Sequence, residues 1–247
     1  MADDGWVAEE IGSVTAIRPR EAPGGGVLVA FSSRGHAPEG ERSPTAWLAR
    51  AFAGALGRQP MPIVRATQVH GRHAVLVADP PPSGEVIDAG EADVLATALP
   101  GVALVVQTAD CAPILLAGER AVAAAHAGWR GSAVLAAKAA VAALRELGED
   151  PASLRVWIGP MIRSCCYEVG GEVAAQFAGE FVRRGCGGAF TLDLPAVNRA
   201  QLEEAGVPPG AIAIHPTCTK CGGERFASYR RDGAKAGRMI GLIVRDP

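Results

Sequence analysis

The chain has 247 residues, a formal net charge of -2, 49% hydrophobic and 20% charged residues. That length fits one large domain or two small ones, with enough apolar material for a substantial core. No basic excess points to nucleic acid or an anionic membrane, and no run reaches the ~18 apolar residues of a spanning helix. The acidic start, MADDGWVAEEIG, lacks the apolar run of a signal peptide, so the expected location is the cytoplasm. The six Cys are then expected as reduced thiols or metal ligands rather than a disulfide framework.

In chain order, Val27 to Phe31 reads as a strand, followed by the polar turn Ser32-Ser33-Arg34-Gly35. Residues 45–56 read as a helix stopped by Gly57. Val64 to Val69 is a short strand running into Gln68-Val69-His70-Gly71, and a β-rich piece follows at residues 74–78. Glu91-Ala92-Asp93 leads into Val94 to Thr97, a short turn or strand. Residues 102–106, 113–117 and 121–125 are three apolar runs of strand length. Gly118-Glu119-Arg120 is a hairpin-sized loop between the last two. If it closes an antiparallel pair, Ala112 falls opposite His126, and Cys111 and His126 share one end of the hairpin.

Ser132 is a suitable N-cap for a helix over residues 133–147, Ala-rich and ending at Gly148. Such a helix would turn its positive end toward His126 and Arg130, a favourable place for phosphate. Leu154 to Ile158 reads as a strand, residues 172–181 and 194–205 as helices, and residues 211–214 and 239–244 as strands. No internal repeat is visible. Short strands alternating with few helices predict an α/β fold with a mixed β-sheet, as one domain over residues 1–247.

His70, Cys111 and His126 each end an apolar run at a Gly- or Pro-rich turn. Two imidazoles and a thiolate suit zinc and leave a fourth position open. By spacing alone the set is weak; the hairpin links Cys111 to His126 but says nothing of His70. Cys218-Thr219-Lys220-Cys221 is a CxxC that is either a redox pair, half a zinc site or a pair of plain thiols, and the last is the better reading. Cys165-Cys166 are adjacent, not spaced like the second half of a zinc site. Arg34, Arg130, Arg230 and Arg231 stand in turns where arginine binds phosphate or forms a surface ion pair. Asp110 either acts as a base or caps a turn.

Five segments then bear a resemblance: TQVHG (67–71), TADC (108–111), HAGWRG (126–131), IGPMIRSCCYEVG (158–170) and CTKCGGERFASYRRDGAKAGRMIGLI (218–243). In that order they resemble the motifs of the laccase-domain family, whose members are called YfiH-like proteins, polyphenol oxidases or purine nucleoside phosphorylases. The resemblance runs from about residue 64 to 244. At FSSRGHAPEG (31–40) the chain departs from the family's FTTR-GGVS pattern. The resemblance implies a single-domain α/β layered sandwich, with zinc held by His70, Cys111 and His126. It implies phosphorolysis of adenosine, inosine, guanosine and methylthioadenosine, with adenosine deamination. Arg34, Gln68, Asp110 and Arg130 are the expected substrate-binding residues, and Asp110 the expected proton shuttle. The family is also linked to copper-dependent phenol oxidation and to a hydrolase that edits a peptidoglycan precursor through Cys111 and His126. Copper is therefore the alternative metal, though five His are few for a multi-copper cluster. The expected partners are small molecules only, a purine nucleoside and phosphate, with no nucleic acid, no membrane and a monomeric chain.

Overall fold

The computed structural model describes residues 5–11, 14–21, 24–58, 61–79, 81–185 and 188–247; the sixth cysteine, Cys186, lies outside them. From the N-terminus come strands β1 (Trp6–Ile11), β2 (Val14–Pro19) and β3 (Val27–Ser32), then helix α1 (Pro44–Ala55). Strands β4 (Ile63–Thr67), β5 (Ala74–Leu76), β6 (Val86–Glu91), β7 (Val94–Thr97), β8 (Ala103–Thr108), β9 (Ala112–Ala117) and β10 (Val122–Ala127) follow. Helices α2 (Trp129–Ala133) and α3 (Ala136–Glu146) lead to β11 (Arg155–Ile158). The remainder is β12 (Glu168–Val169), α4 (Gly171–Ala174), β13 (Val182–Arg184), β14 (Phe190–Leu192), α5 (Leu194–Glu204), β15 (Ile212–Ile214), α6 (Tyr229–Asp232) and β16 (Met239–Arg245).

Two mixed sheets form the body. One has the order β1-β2-β3-β16-β8-β4-β6 and the other β15-β11-β9-β10-β7-β5. The period-2 alternation of strand side chains sorts the core into layers. Leu115, Ala117, Val122 and Ala124 face the first sheet, where Val106, Leu104, Phe31 and Ile243 meet them. Their sequence neighbours Ile114, Leu116, Ala123 and Ala125 face the other way, onto Val141 and Leu144 of α3 and Leu202 of α5. On the outer face of the first sheet, Leu48 and Phe52 of α1 cover Ile63, Val105 and Leu242. The result is a four-layer sandwich of helix, sheet, sheet and helices, the expected mixed-sheet α/β class. With both faces covered, β9 and β10 are buried along their whole length, which is why they read as continuous apolar runs. Among the described residues, no helix is long and apolar enough to cross a membrane.

Three local expectations change. The hairpin loop has four residues rather than three, closed by Gly118 N–H donating to the Ala121 carbonyl. His126 therefore pairs with Pro113, and Ala112 with Ala127, one residue from the expected register. The buried carboxylate of Glu149 sets the loop length by accepting from the N–H groups of Glu119, Arg120 and Ala121 at 3.0, 2.6 and 2.7 Å. The helix expected over residues 133–147 is broken in two. Ser132 lies inside α2, not at a cap: its hydroxyl bonds Asn198 and its carbonyl accepts from Gln201 Nε2 at 2.7 Å, both on α5. Leu135 then takes a left-handed conformation (φ 69°) before α3 begins. Of the helix expected over residues 172–181, only α4 and a 3-10 turn at Gly179–Phe181 form.

Replacing Glu149 by Ala leaves three turn amides without their acceptor, one of them buried. The expected loss is about 2–3 kcal/mol in urea unfolding, and an unchanged midpoint would show that the carboxylate does not hold the hairpin.

Candidate metal centre and cavity

Three chain segments meet at one edge of the two sheets. His70 stands in the turn after β4, Cys111 immediately before β9, and His126 one residue from the end of β10. A ligand atom of each lies within 4.8 Å of the others, and the two imidazoles cross edge to face at a centroid distance of 4.8 Å. His70 (φ 62°) and Asp110 (φ 90°) are both non-glycine residues with positive φ, a conformation that persists only where surrounding contacts hold it.

At Asp110 the contacts come from Thr219, Arg230 and Ile162; at His70 they come from Asp93, just before β7, a residue to which the sequence attached no role. Its carboxylate accepts from the N–H groups of Val69, His70 and Gly71 at 3.2, 3.0 and 2.6 Å. It also takes Nδ1 of His126 at 2.8 Å. An ionised carboxylate only accepts, so Nδ1 carries the proton and Nε2 is left to face Cys111. One side chain thus sets the turn that presents His70 and the tautomer of His126.

Burial is the largest influence on all three ionisable groups and opposes their charged forms, but their partners outweigh it. His126, then His70, draws the Cys111 thiol down to about 6. Cys111 and Asp93 push His126 up to about 9. His126 and the N–H groups of Gly71 and His70 hold Asp93 below the usual carboxylate range. Cys111 is thereby disposed to be a thiolate, the form that binds metal or attacks an electrophile. Gly128 leaves room for it: a Cβ there would lie 2.7 Å from Cys111 Sγ and 3.3 Å from His70 Cδ2.

The three residues line a cavity of about 540 Å³ with Gln68, Gln107, Asp110, Trp129, Arg130, Tyr167, Tyr229, Arg230 and Arg238. Arg130 stacks on Trp129 at 4.3 Å, and Arg230 lies over Tyr167 at 5.2 Å while donating to the Glu168 carbonyl. Gln68 and Asp110 line the cavity but are engaged elsewhere. Gln68 exchanges two hydrogen bonds with the backbone of Gln107. Asp110 accepts from the Thr219 hydroxyl at 2.6 Å and from the Arg230 N–H at 2.7 Å. Arg34 lies apart: it pairs with Asp232 and lines a second cavity with Ser33, Trp47 and Phe52. Arg231 is structural, donating to the carbonyls of Thr219, Lys220, Gly223 and Phe226. Asp93, Tyr167 and Arg238 were not legible as site residues, because a lone Asp before a strand or an Arg before β16 carries no local signature.

Fold and site together define a layered α/β protein with an open two-imidazole, one-thiolate centre in a cationic cleft. The family model described as multi-copper polyphenol oxidoreductase laccase matches residues 43–246, and the chain belongs to that family. A purine nucleoside phosphorylase of Deinococcus radiodurans is 40% identical over 198 residues, 78% of this chain and 74% of that protein. Adenosine deaminase RL5, from an unknown prokaryotic organism, is 39% identical over 162 residues, 62% of each chain. The crystal structure of YlmD from Geobacillus stearothermophilus superposes with a TM-score of 0.85 at 29% identity, covering 99% of this chain and 100% of that one.

Because Asp93 orients His126 and shapes the His70 turn, Asp93→Asn should weaken divalent-metal binding at this centre by about 10–100-fold with the fold retained. Competition with a chromophoric chelator measures it; an unchanged affinity would remove Asp93 from the centre.

Proposed function

We propose that this protein is a zinc-dependent purine nucleoside phosphorylase with adenosine deaminase activity, acting on adenosine, inosine, guanosine and methylthioadenosine. The observation that carries the reading is the convergence of His70, Cys111 and His126 on a cavity flanked by three guanidinium groups. The names of the relatives support it: they are a purine nucleoside phosphorylase and an adenosine deaminase.

The donor set fits zinc. Two imidazole nitrogens and a thiolate within 4.8 Å need only a small closure to reach Zn–N and Zn–S bonds of about 2.0–2.3 Å, and the cavity side stays open. A multi-copper cluster has too few imidazoles. Of the other three His, His215 packs against Trp6 and Phe226, His36 meets the Lys235 carbonyl, and His73 does not line the cavity. A zinc ion held there supplies Lewis acidity toward water or a phosphate oxygen.

The chain's own residues do the rest. Arg130, Arg230 and Arg238 offer guanidinium donors to a phosphate dianion, which attacks ribose C1′ as the C1′–N9 bond breaks toward the purine. The expected helix N-terminus plays no part, since α2 is only five residues long and α3 starts beyond the left-handed Leu135. Tyr167 stays a protonated phenol, raised by burial and then by the charge of Cys111, and so offers a hydrogen bond to the bound base. Asp110, with both oxygens occupied, fixes the backbone of Arg230 rather than shuttling protons.

The row Cys111–His126–Asp93 favours one second reading, a metal-free cysteine hydrolase in which His126 activates the thiol and Asp93 orients the imidazole, suited to editing a peptidoglycan precursor. Chelation separates the two, since only the first needs the metal.

Incubated with adenosine and phosphate, the zinc-loaded protein should release adenine and ribose 1-phosphate, with some inosine, as read by chromatography. Cys111→Ala should abolish both products and the zinc at this centre. Arg130→Ala should lower phosphorolysis about 10–100-fold, the worth of a charge-assisted hydrogen bond, and deamination less. Equal loss of both would refute the phosphate role of Arg130. No turnover of any purine nucleoside by folded, zinc-loaded protein would overturn the phosphorylase reading.

A further inference from the structure

Outside the residues that line the cavity there is a second convergence of metal-binding side chains. Cys165 and Cys166 sit in the turn between β11 and β12, and Cys218 and Cys221 in the loop after β15. Parallel pairing of β11 with β15, continued by a bridge between Met161 and Cys218, sets the two loops side by side. Segments more than fifty residues apart thus bring four Sγ atoms within 4.8 Å of one another. We propose that Cys165, Cys166, Cys218 and Cys221 bind a zinc ion as a closed tetrathiolate site, distinct from the His70–Cys111–His126 centre and serving to clip together the loop that leads to Tyr167 and the loop that leads to Tyr229 and Arg230.

Distance supports a metal over a disulfide. Zn–S bonds of about 2.3 Å in a tetrahedron place neighbouring sulfurs about 3.8 Å apart. Cys165 Sγ and Cys221 Sγ are 3.8 Å apart. A disulfide would require about 2.05 Å.

The backbone of the CxxC is built for a thiolate. Cys218 Sγ is buried and is met by the backbone N–H groups of Cys221, Arg163 and Lys220. Two of those donors come from the turn Cys218-Thr219-Lys220-Cys221 itself. That turn is closed by Gly222 N–H donating to the Cys218 carbonyl at 2.7 Å. It tolerates no side chain at Gly222, where a Cβ would lie 2.2 Å from Thr217 Cγ2 and 2.5 Å from the Cys218 carbonyl oxygen. Four crowded thiols resist losing four protons together. A dication removes that conflict, displacing the protons to solvent as the Zn–S bonds form. With four protein ligands no position stays open, so the site is structural.

The clip has a clear mechanical consequence. Thr219, inside the CxxC, donates to Asp110, which in turn holds the backbone of Arg230. Tyr167 follows Cys166 directly, and Ile162 N–H donates to the Asp110 carbonyl at 2.9 Å. Fixing the two loops therefore fixes Tyr167, Asp110 and Arg230.

The test is zinc stoichiometry on protein kept reduced, loaded with zinc alone and freed of unbound metal. The native chain should hold about two zinc ions, and Cys111→Ala about one. Adding Cys165→Ser and Cys221→Ser, both at exposed positions, to Cys111→Ala should leave none. Cobalt(II) gives an independent readout: Cys111→Ala should show the intense visible bands of tetrahedral thiolate coordination, lost on adding Cys221→Ser alone. Folded Cys111→Ala protein that binds no zinc, or that binds it equally with Cys165 and Cys221 replaced, would overturn the proposal. So would a disulfide among the four cysteines under those reducing conditions.

Discussion

A buried carboxylate at the seam between the two sheets, Asp93, is the contact on which the geometry of the centre depends. Its side chain holds three successive amides of the turn after β4, which belongs to one sheet, and the imidazole of His126 on β10, which belongs to the other. Its own carbonyl accepts from the His126 N–H at 2.8 Å. An uncompensated charge in such a place would be costly; four donors on one carboxylate make it instead a fixed point for both histidines. The left-handed backbone of His70 is tolerable because the amide ladder onto Asp93 over-determines it.

The small residues around this seam follow from the same packing. β10 is Val122-Ala123-Ala124-Ala125-His126-Ala127, buried between a sheet and a helix layer, and its alanines let both neighbours approach. His126 is the one polar side chain in that strand, and burial without Asp93 and Cys111 would leave it unsatisfied. Gly128, just beyond, keeps open the space that Cys111 Sγ occupies. The candidate centre is thus built from turns and strand ends at one edge, while the interiors of β9 and β10 serve the core.

The rim of the cavity is organised separately. Arg231 ties the loop after Cys218 into a compact unit through four carbonyls, and Asp110 joins that unit to the loop leading into β9. Arg230, adjacent in sequence to a structural arginine, is left to stack on Tyr167 and reach the cavity. Two neighbouring arginines of identical chemistry have different roles because one points into a carbonyl-lined loop and the other lies over Tyr167 at the cavity.

The sequence by itself determined the features that local physics controls. Apolar runs and turn residues marked β3, β8, β9, β10, β11 and β16, because a doubly covered strand must be apolar along its length. The loop at Gly118 placed Cys111 and His126 at one end of a hairpin, and ordered motifs were enough to recognise the family. The N-terminal hairpin was missed, since β1 is mostly exposed and acidic and is held by pairing with β2 rather than by an apolar pattern. Tertiary structure alone decided the rest. Glu149 shifted the hairpin register by one residue, and Asn198 and Gln201 drew Ser132 out of a cap and split a helix. Asp93 acquired four partners from segments that a linear reading cannot align. The adjacent pair Cys165-Cys166 met Cys218 and Cys221 only because β11 and β15 lie parallel. In each case the deciding contact joins residues tens of positions apart, and a pairing of that kind leaves no periodicity in the chain from which it could be read.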